Sequence, residues 1–298
     1  MKRIRFLVRL LLVFGFFYLV WISASYLSNH FLTGTLPNSP VAKNISPVSD
    51  NSEVPSVSAK YIFILDRRSK TVLYQKKADE QIYPASTTKM MTAIVTYEQL
   101  PLDTSITVSH SYPEGVDIEL QPGETLRVSD LLYAILVPSA NDAAEVLAEG
   151  FPGGRSAFIQ AMNNKAVALN LKNTHFLNPT GLDEVGHYSS AADLARIADH
   201  LLGSEYLAKI VSTENAVVSS SDLSVYHSLS NVNELLGKVS GVVGIKTGFT
   251  DLAGESLITL VNRDGREVII SLLGSTDRFS DTEKLIEWIY SSFTWPQL

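Results

Sequence analysis

The 298 residues contain no cysteine. That removes a disulfide framework, a thiolate nucleophile, cysteine-ligated zinc and iron–sulfur clusters, and leaves stability to packing alone. Several chemical signatures are missing as well: there is no Gly-x-Ser-x-Gly elbow, no His-Glu-x-x-His pair, no Gly-x-x-x-x-Gly-Lys loop and no Gly-x-Gly-x-x-Gly. The six histidines (His30, His110, His175, His187, His200, His227) are scattered, with no pair at helical ligand spacing, so no metal site is expected. Cations are outnumbered, 24 Lys+Arg against 31 Asp+Glu for a net charge of −7. This argues against a nucleic-acid partner, which needs a basic face. With 45% hydrophobic and 18% charged residues the chain is not disordered, and its length allows one large domain or two small ones.

The scarce cations are unevenly placed. Lys2, Arg3, Arg5 and Arg9 precede the first acid, so the rest of the chain is more acidic than the net figure suggests. From Phe6 to Leu27 the sequence is almost uninterruptedly apolar, and ~20 such residues suffice for a helix to cross a bilayer. The expected reading of residues 1–27 is a membrane anchor, N-terminus in, with Tyr18, Trp21 and Tyr26 suited to the interface. The alternative is a signal peptide cleaved near Ser23-Ala24-Ser25. Residues 28–58, rich in Ser, Asn, Pro and Thr, read as a flexible tether.

Regular structure is expected from 59 to 298. Tyr61 to Leu65 and Thr71 to Tyr74 flank a polar turn in a hairpin pattern. Helices are expected at Thr88 to Leu100, Ser129 to Val137, Asp142 to Glu149, Ser156 to Leu169, Ala191 to Leu202 and Ser204 to Val211. Strands return at Val242 to Lys246, Glu255 to Val261 and Glu267 to Leu273, before a closing helix from Asp281 to Tyr290. The pattern implies an α+β domain, one sheet built from both ends of the domain around a mainly helical middle, with no internal repeat.

Three short motifs carry chemistry. Ser86-Thr87-Thr88-Lys89 opens a helix, and the i, i+3 spacing puts hydroxyl and amine on one face. A serine becomes nucleophilic only when a base takes its proton, and lysine can be that base only if burial or a neighbouring cation lowers its pKa. Alone this pattern is weak, since Ser-x-x-Lys arises by chance about once in such a chain, and an N-cap serine beside a surface lysine would look the same. Ser139-Ala140-Asn141, between two helices, offers a hydroxyl to relay a proton and an amide to hold a carbonyl, although a helix cap would serve equally. Ser49-Asp50-Asn51 has the same form but lies in the tether, ahead of Ser86. Lys246-Thr247-Gly248 ends an apolar strand, where a cation, a hydroxyl and an uncrowded backbone can receive an extended substrate. Their order and local context point to one site.

The chain resembles the penicillin-recognising serine enzymes, and within them the D-alanyl-D-alanine carboxypeptidases among the low-molecular-mass penicillin-binding proteins. The resemblance runs from Tyr61 to about Trp288. It takes in Tyr83 to Thr92, Val137 to Ala144, Phe176 to Leu182, His187 to Leu194 and Gly244 to Thr250. It implies a D,D-peptidase/β-lactamase-like fold, no cofactor, stem peptides ending in D-Ala-D-Ala as substrates and β-lactams as covalent inhibitors. The catalytic domain would lie outside the cytoplasm, on a bacterial membrane or secreted. Ser86 would attack the penultimate D-alanine carbonyl and Lys89 would be its base. Lys246 would keep one amine neutral by like-charge repulsion, Ser139 would pass the proton to the leaving amine, and Asn141 would hold the substrate's peptide carbonyl. The backbone N–H groups of Ser86 and Phe249, the residue after Gly248, would hold the oxyanion. Thr247 and Arg278 would receive the terminal carboxylate, unless Arg278 is only a surface residue. His187, Tyr188 and Asp193 would be structural, and Asn178 to Gly181 a turn.

Two departures from the family pattern stand out. The chain stops soon after Trp295, where many relatives carry a further β-rich domain and a membrane-binding helix, and after Ala253-Gly254 it has Glu255-Ser256, where relatives are more often apolar or Cys at the first of these places. Rival readings are a D,D-endopeptidase using the same residues, a serine β-lactamase and a non-catalytic wall-binding module. The Glu-x-x-Leu-Asn signature of one β-lactamase class is absent between Asn141 and Lys246.

Overall fold

The computed structural model describes Tyr18 and residues 46–112 and 115–296. The expected anchor or signal, Tyr18 apart, and the first part of the expected tether lie outside the described residues. Among those described, no helix is long and apolar enough to cross a membrane.

In chain order the elements are β1 (Val48–Ser49), β2 (Tyr61–Asp66), β3 (Val72–Lys76), a 3-10 turn (Ala85–Thr88), α1 (Lys89–Gln99), β4 (Ser105–Thr107) and β5 (Thr125–Arg127). Next come α2 (Val128–Leu136), α3 (Asn141–Glu149), α4 (Gly154–Ala168), α5 (Ala191–Leu201), α6 (Glu205–Val211), β6 (Asn215–Ser219) and β7 (Tyr226–Ser230). The chain closes with β8 (Val242–Thr250), β9 (Gly254–Arg263), β10 (Arg266–Ser275), α7 (Arg278–Ser292) and β11 (Phe293–Thr294).

The period-2 alternation of apolar side chains explains the central sheet, whose order is β3-β2-β10-β9-β8, antiparallel throughout. Ile62 and Ile64 of β2, with Val268, Ile270 and Leu272 of β10, enter a core shared with Leu285, Ile286 and Ile289 of α7. Phe63 and Leu65, with Ile269 and Leu273, turn the other way into the larger core of α1 to α6. A sheet buried on both faces must be covered by helices on both, and it is. As expected, the sheet is made from both ends of the domain around a helical middle. The short pairs β4·β5, β6·β7 and β1·β11 were not foreseen.

The described part of the expected tether, residues 46–58, is held on the domain. β1 pairs with β11 (Val48 opposite Thr294), and the Asp50 N–H donates to the Ser292 carbonyl at 2.9 Å. At Asp281 the carboxylate accepts from the Ser58 N–H (3.1 Å) and hydroxyl (2.6 Å), the Ala59 N–H (3.0 Å) and the Ser275 hydroxyl (2.7 Å). The polar residues that suggested a tether thus supply the bonds that pin the segment down, and the tether reading is left with 28–45. Burial pushes the Asp281 carboxyl up, but the hydroxyls of Ser58 and Ser275 and the backbone N–H groups hold it below its ordinary value.

Asp281→Ala leaves four donors without their acceptor and is expected to cost roughly 2–4 kcal/mol of unfolding free energy, measured by urea denaturation at neutral pH. Because the folded-state pKa is lowered, the contribution is present above the ordinary carboxylate range and is lost as pH falls below it. An unchanged urea midpoint would refute the anchoring role.

Candidate active site

Three segments far apart in sequence meet beside the edge strand β8. Ser86 sits in the 3-10 turn rather than in the α-helix proper, and Lys89 is the first residue of α1. Asn141 is the first residue of α3, two positions after Ser139. Two non-glycine residues here have left-handed backbone, Ala85 (φ 49°) and Ser139 (φ 73°). Such conformations persist only where the surroundings enforce them.

The surroundings of Ala85 are two glycines. A Cβ on Gly248 would lie 3.1 Å from the Ala85 Cβ and 3.3 Å from the Ser86 nitrogen, so β8 packs its bare backbone against the serine turn. On the other side, a Cβ on Gly181 would fall 1.8 Å from the Ala85 carbonyl oxygen, a collision that no side chain escapes. Gly181 itself has φ 90°, which L side chains rarely adopt.

Lys89 is fully buried. Its amine lies 3.1 Å from the Ser86 hydroxyl, 2.6 Å from the Asn141 side-chain oxygen and 2.8 Å from the Thr180 carbonyl. Burial drives its pKa well below the usual lysine value and the Lys246 charge lowers it further, against a partial pull upward from Asp142 and Glu145. Lys246 is buried too, with its amine 3.2 Å from the Thr247 carbonyl. Burial and then the Arg278 charge bring it down to about 7. Two amines in one dry cleft therefore cannot both stay protonated near neutrality.

The remaining expected residues take these places. Ser139 is 6% exposed and, among the described residues, its side chain makes no hydrogen bond to Ser86, Lys89 or Lys246. Thr247 is buried and Phe249 is exposed beside it. Arg278 is not a surface arginine: it is half-buried at the start of α7 and donates to the Gly248 carbonyl at 3.1 Å, while its Nε is buried without a partner among the described residues. Glu255 accepts from the Arg278 backbone N–H at 2.8 Å, and Ser256 behind it is wholly buried with its hydroxyl unpaired. β8 lies at the end of the sheet order, and among the described residues no strand pairs with its outer edge.

Sequence reading missed Thr180 and Gly181 as parts of the site. They act through a carbonyl and through the absence of a side chain, and neither leaves a chemical signature in the sequence. The available signals were the turn Asn178 to Gly181 and the place of Phe176 to Leu182 among the segments that carry the resemblance. The loop ahead of α3 was missed as well: the Asn141 N–H donates to the Val116 carbonyl at 2.6 Å, and Asp142 accepts from the N–H groups of Ile118 and Leu120, both at 3.1 Å.

Comparison with known proteins agrees with this geometry. The family model described as D-alanyl-D-alanine carboxypeptidase matches residues 48–277. A D-alanyl-D-alanine carboxypeptidase of Bacillus subtilis is 35% identical over 79% of this chain, which spans only 63% of that relative's length. A D-alanyl-D-alanine endopeptidase of Pseudomonas aeruginosa is 33% identical, over 76% of this chain and 75% of its own. The crystal structure of the Streptomyces K15 DD-transpeptidase superposes with a TM-score of 0.76 at 31% identity, covering 80% of this chain and 100% of that one. A serine and a buried lysine one turn apart, an asparagine on that lysine, and a Lys-Thr-Gly strand alongside thus occur in a chain that belongs to the D-alanyl-D-alanine carboxypeptidase family, hydrolases of the cell wall that act outside the cytoplasm.

Proposed function

We propose that this chain is a serine D,D-carboxypeptidase that removes the terminal D-alanine from peptidoglycan stem pentapeptides through an acyl-enzyme on Ser86. The observation that carries this is the Lys89 amine, buried, lowered in pKa and 3.1 Å from the Ser86 hydroxyl. Ser86 Oγ attacks the penultimate D-alanine carbonyl while its proton passes to Lys89. The tetrahedral oxyanion lies between the N–H groups of Ser86 and Phe249, and losing one such donor typically costs about 2.7–4 kcal/mol in the transition state. Ser139 then hands a proton to the nitrogen of the departing D-alanine, and water hydrolyses the ester. Asn141 holds the upstream peptide carbonyl, Gly248 admits the substrate backbone to the edge of β8, and Thr247 and Arg278 receive the terminal carboxylate. The buried, unpaired Arg278 Nε supports that last assignment.

Penicillins present a strained carbonyl to the same serine and acylate it. Residues 1–27 anchor the chain in the membrane or direct its export, 28–45 act as the leash, and the catalytic domain begins by residue 46. D,D-endopeptidase activity on crosslinked peptidoglycan is the second reading, favoured by the endopeptidase name of the Pseudomonas relative. Assays on pentapeptides and crosslinked dimers separate the two.

Ser86→Ala is expected to lower D-alanine release on the order of 10⁴-fold or more and to abolish covalent penicillin labelling, read by mass spectrometry. Labelling that persists would sink the nucleophile assignment. A chain that turns penicillin over rapidly, with no lasting adduct, would instead be a β-lactamase.

The acylation rate should fall on the acid side as Lys89 takes up a proton. In that range Lys246 is charged, so Lys246→Met removes a neighbouring cation, raises the Lys89 pKa and moves the acid limb of the residual rate to higher pH. A limb that stays in place would show that the two amines do not interact.

A further inference from the structure

A neutral amine has two N–H bonds and one lone pair. At Lys89 two partners can only accept, the Asn141 side-chain oxygen at 2.6 Å and the Thr180 carbonyl at 2.8 Å. They take both N–H bonds and leave the lone pair to the Ser86 hydroxyl. The Thr180 carbonyl therefore helps decide where the base points. A loop that let it swing away would free an N–H to turn onto the serine oxygen, the wrong polarity for proton abstraction.

That carbonyl is framed by the side chain of Asn178. Its oxygen accepts from the Thr180 hydroxyl (3.0 Å) and the Gly181 N–H (2.8 Å), while its NH₂ donates to the Leu182 carbonyl (3.0 Å) and Glu184 (3.3 Å). Both ends of the amide are engaged, on both sides of the peptide that joins 180 to 181. Next to it the Pro179 carbonyl accepts from the Thr92 hydroxyl at 2.7 Å, one helical turn beyond Lys89.

The loop is fastened a second time by His187, which is 1% exposed. The Leu177 N–H points at Nδ1 (3.2 Å), which makes Nδ1 the acceptor and assigns the ring proton to Nε2. Nε2 then donates to the hydroxyl of Thr88 (3.0 Å), the residue before Lys89. Burial, with a smaller contribution from His175, presses the imidazole down to about 4, so this neutral tautomer holds throughout the neutral range.

We propose that Asn178 and His187 are positioning residues for the Lys89 base: Asn178 aims the Thr180 carbonyl at the amine, His187 ties the same loop to the start of α1, and together they keep the lone pair on Ser86. The proposal rests on Ser86 as nucleophile and Lys89 as its base, and extends the reacting machinery to the loop around Thr180.

The test is the rate of Ser86 acylation by saturating penicillin, measured from pH 5 to 9 in the full chain with Asn178→Ala, His187→Phe and His187→Gln, alongside thermal melting. Asn178→Ala and His187→Phe are expected to slow acylation on the order of 10- to 100-fold, with little change in KM for a peptide ending in D-Ala-D-Ala. Glutamine can accept from Leu177 and donate to Thr88, so His187→Gln should recover most of the rate.

The pH profile separates positioning from simple loosening. Losing an acceptor destabilises the ammonium form, so in Asn178→Ala the acid limb moves to lower pH. The charged groups facing Lys89, namely Lys246, Asp142 and Glu145, are unaltered in these variants. A loosened, wetter site would relieve burial and move the limb to higher pH. That result, or wild-type acylation rates in all three variants, overturns the proposal. Where Asn178→Ala does not fold, the His187 pair decides, since equal rates for Phe and Gln also overturn it. Absence of Ser86 labelling in the wild-type chain overturns the nucleophile assignment itself, whereas Ser86 labelling at the same rate in wild type and all three variants removes only the positioning role.

Discussion

Keeping a lysine amine dry is the constraint around which this site is built. In water Lys89 would hold its proton and be useless as a base near neutrality. Burial removes that proton but creates an obligation, because an amine out of water must have its N–H bonds satisfied by protein. The Asn141 oxygen and the Thr180 carbonyl meet the obligation, and one comes from the start of α3, the other from the loop ahead of α5. The second amine, on β8, adds a like charge close enough to matter. Helical region, loop and sheet must all be in register before the serine has a base.

The sheet supplies the rigidity this requires. β8 is an edge strand, yet its inner neighbour β9 is paired along its length and both faces of the sheet are filled. The glycines at 181 and 248 let the loop and the strand approach the Ala85–Ser86 peptide from two sides, at 181 nearer than any side chain would allow and at 248 in tight contact. The left-handed backbone at Ala85 is therefore supported from outside, by contacts that cannot relax without moving the loop or the sheet.

Much of this was legible in the sequence, for identifiable reasons. The long helix-forming stretch Ser156 to Leu169 and the nearly continuous apolar run at Glu267 to Leu273 gave α4 and β10 nearly to their ends. The three- to five-residue strands around Ser105, Thr125, Asn215 and Tyr226 were not seen, because so few residues carry no periodicity and their pairing is a tertiary event. Ser86, Lys89 and Asn141 stood out because side chains carry their chemistry. Thr180 and Gly181 contribute backbone, and the burial of Arg278 depends on where α7 begins relative to β8, so no local pattern announced them. The stretch 46–58 misled in the opposite direction, since the serines and Asp50 typical of a linker also cap and anchor.

The pairing of β2 with β10 has one further consequence. Ile64 lies opposite Ile270, so the first strand of the sheet is translated long before its partner exists. Until β10 arrives, β2 lacks its inner neighbour, and the β8–β9 pair that carries Lys246 is not joined to it. A chain cut short anywhere before β10 is thus an unfinished sheet, with β2 and β9 both left without the strand that joins them.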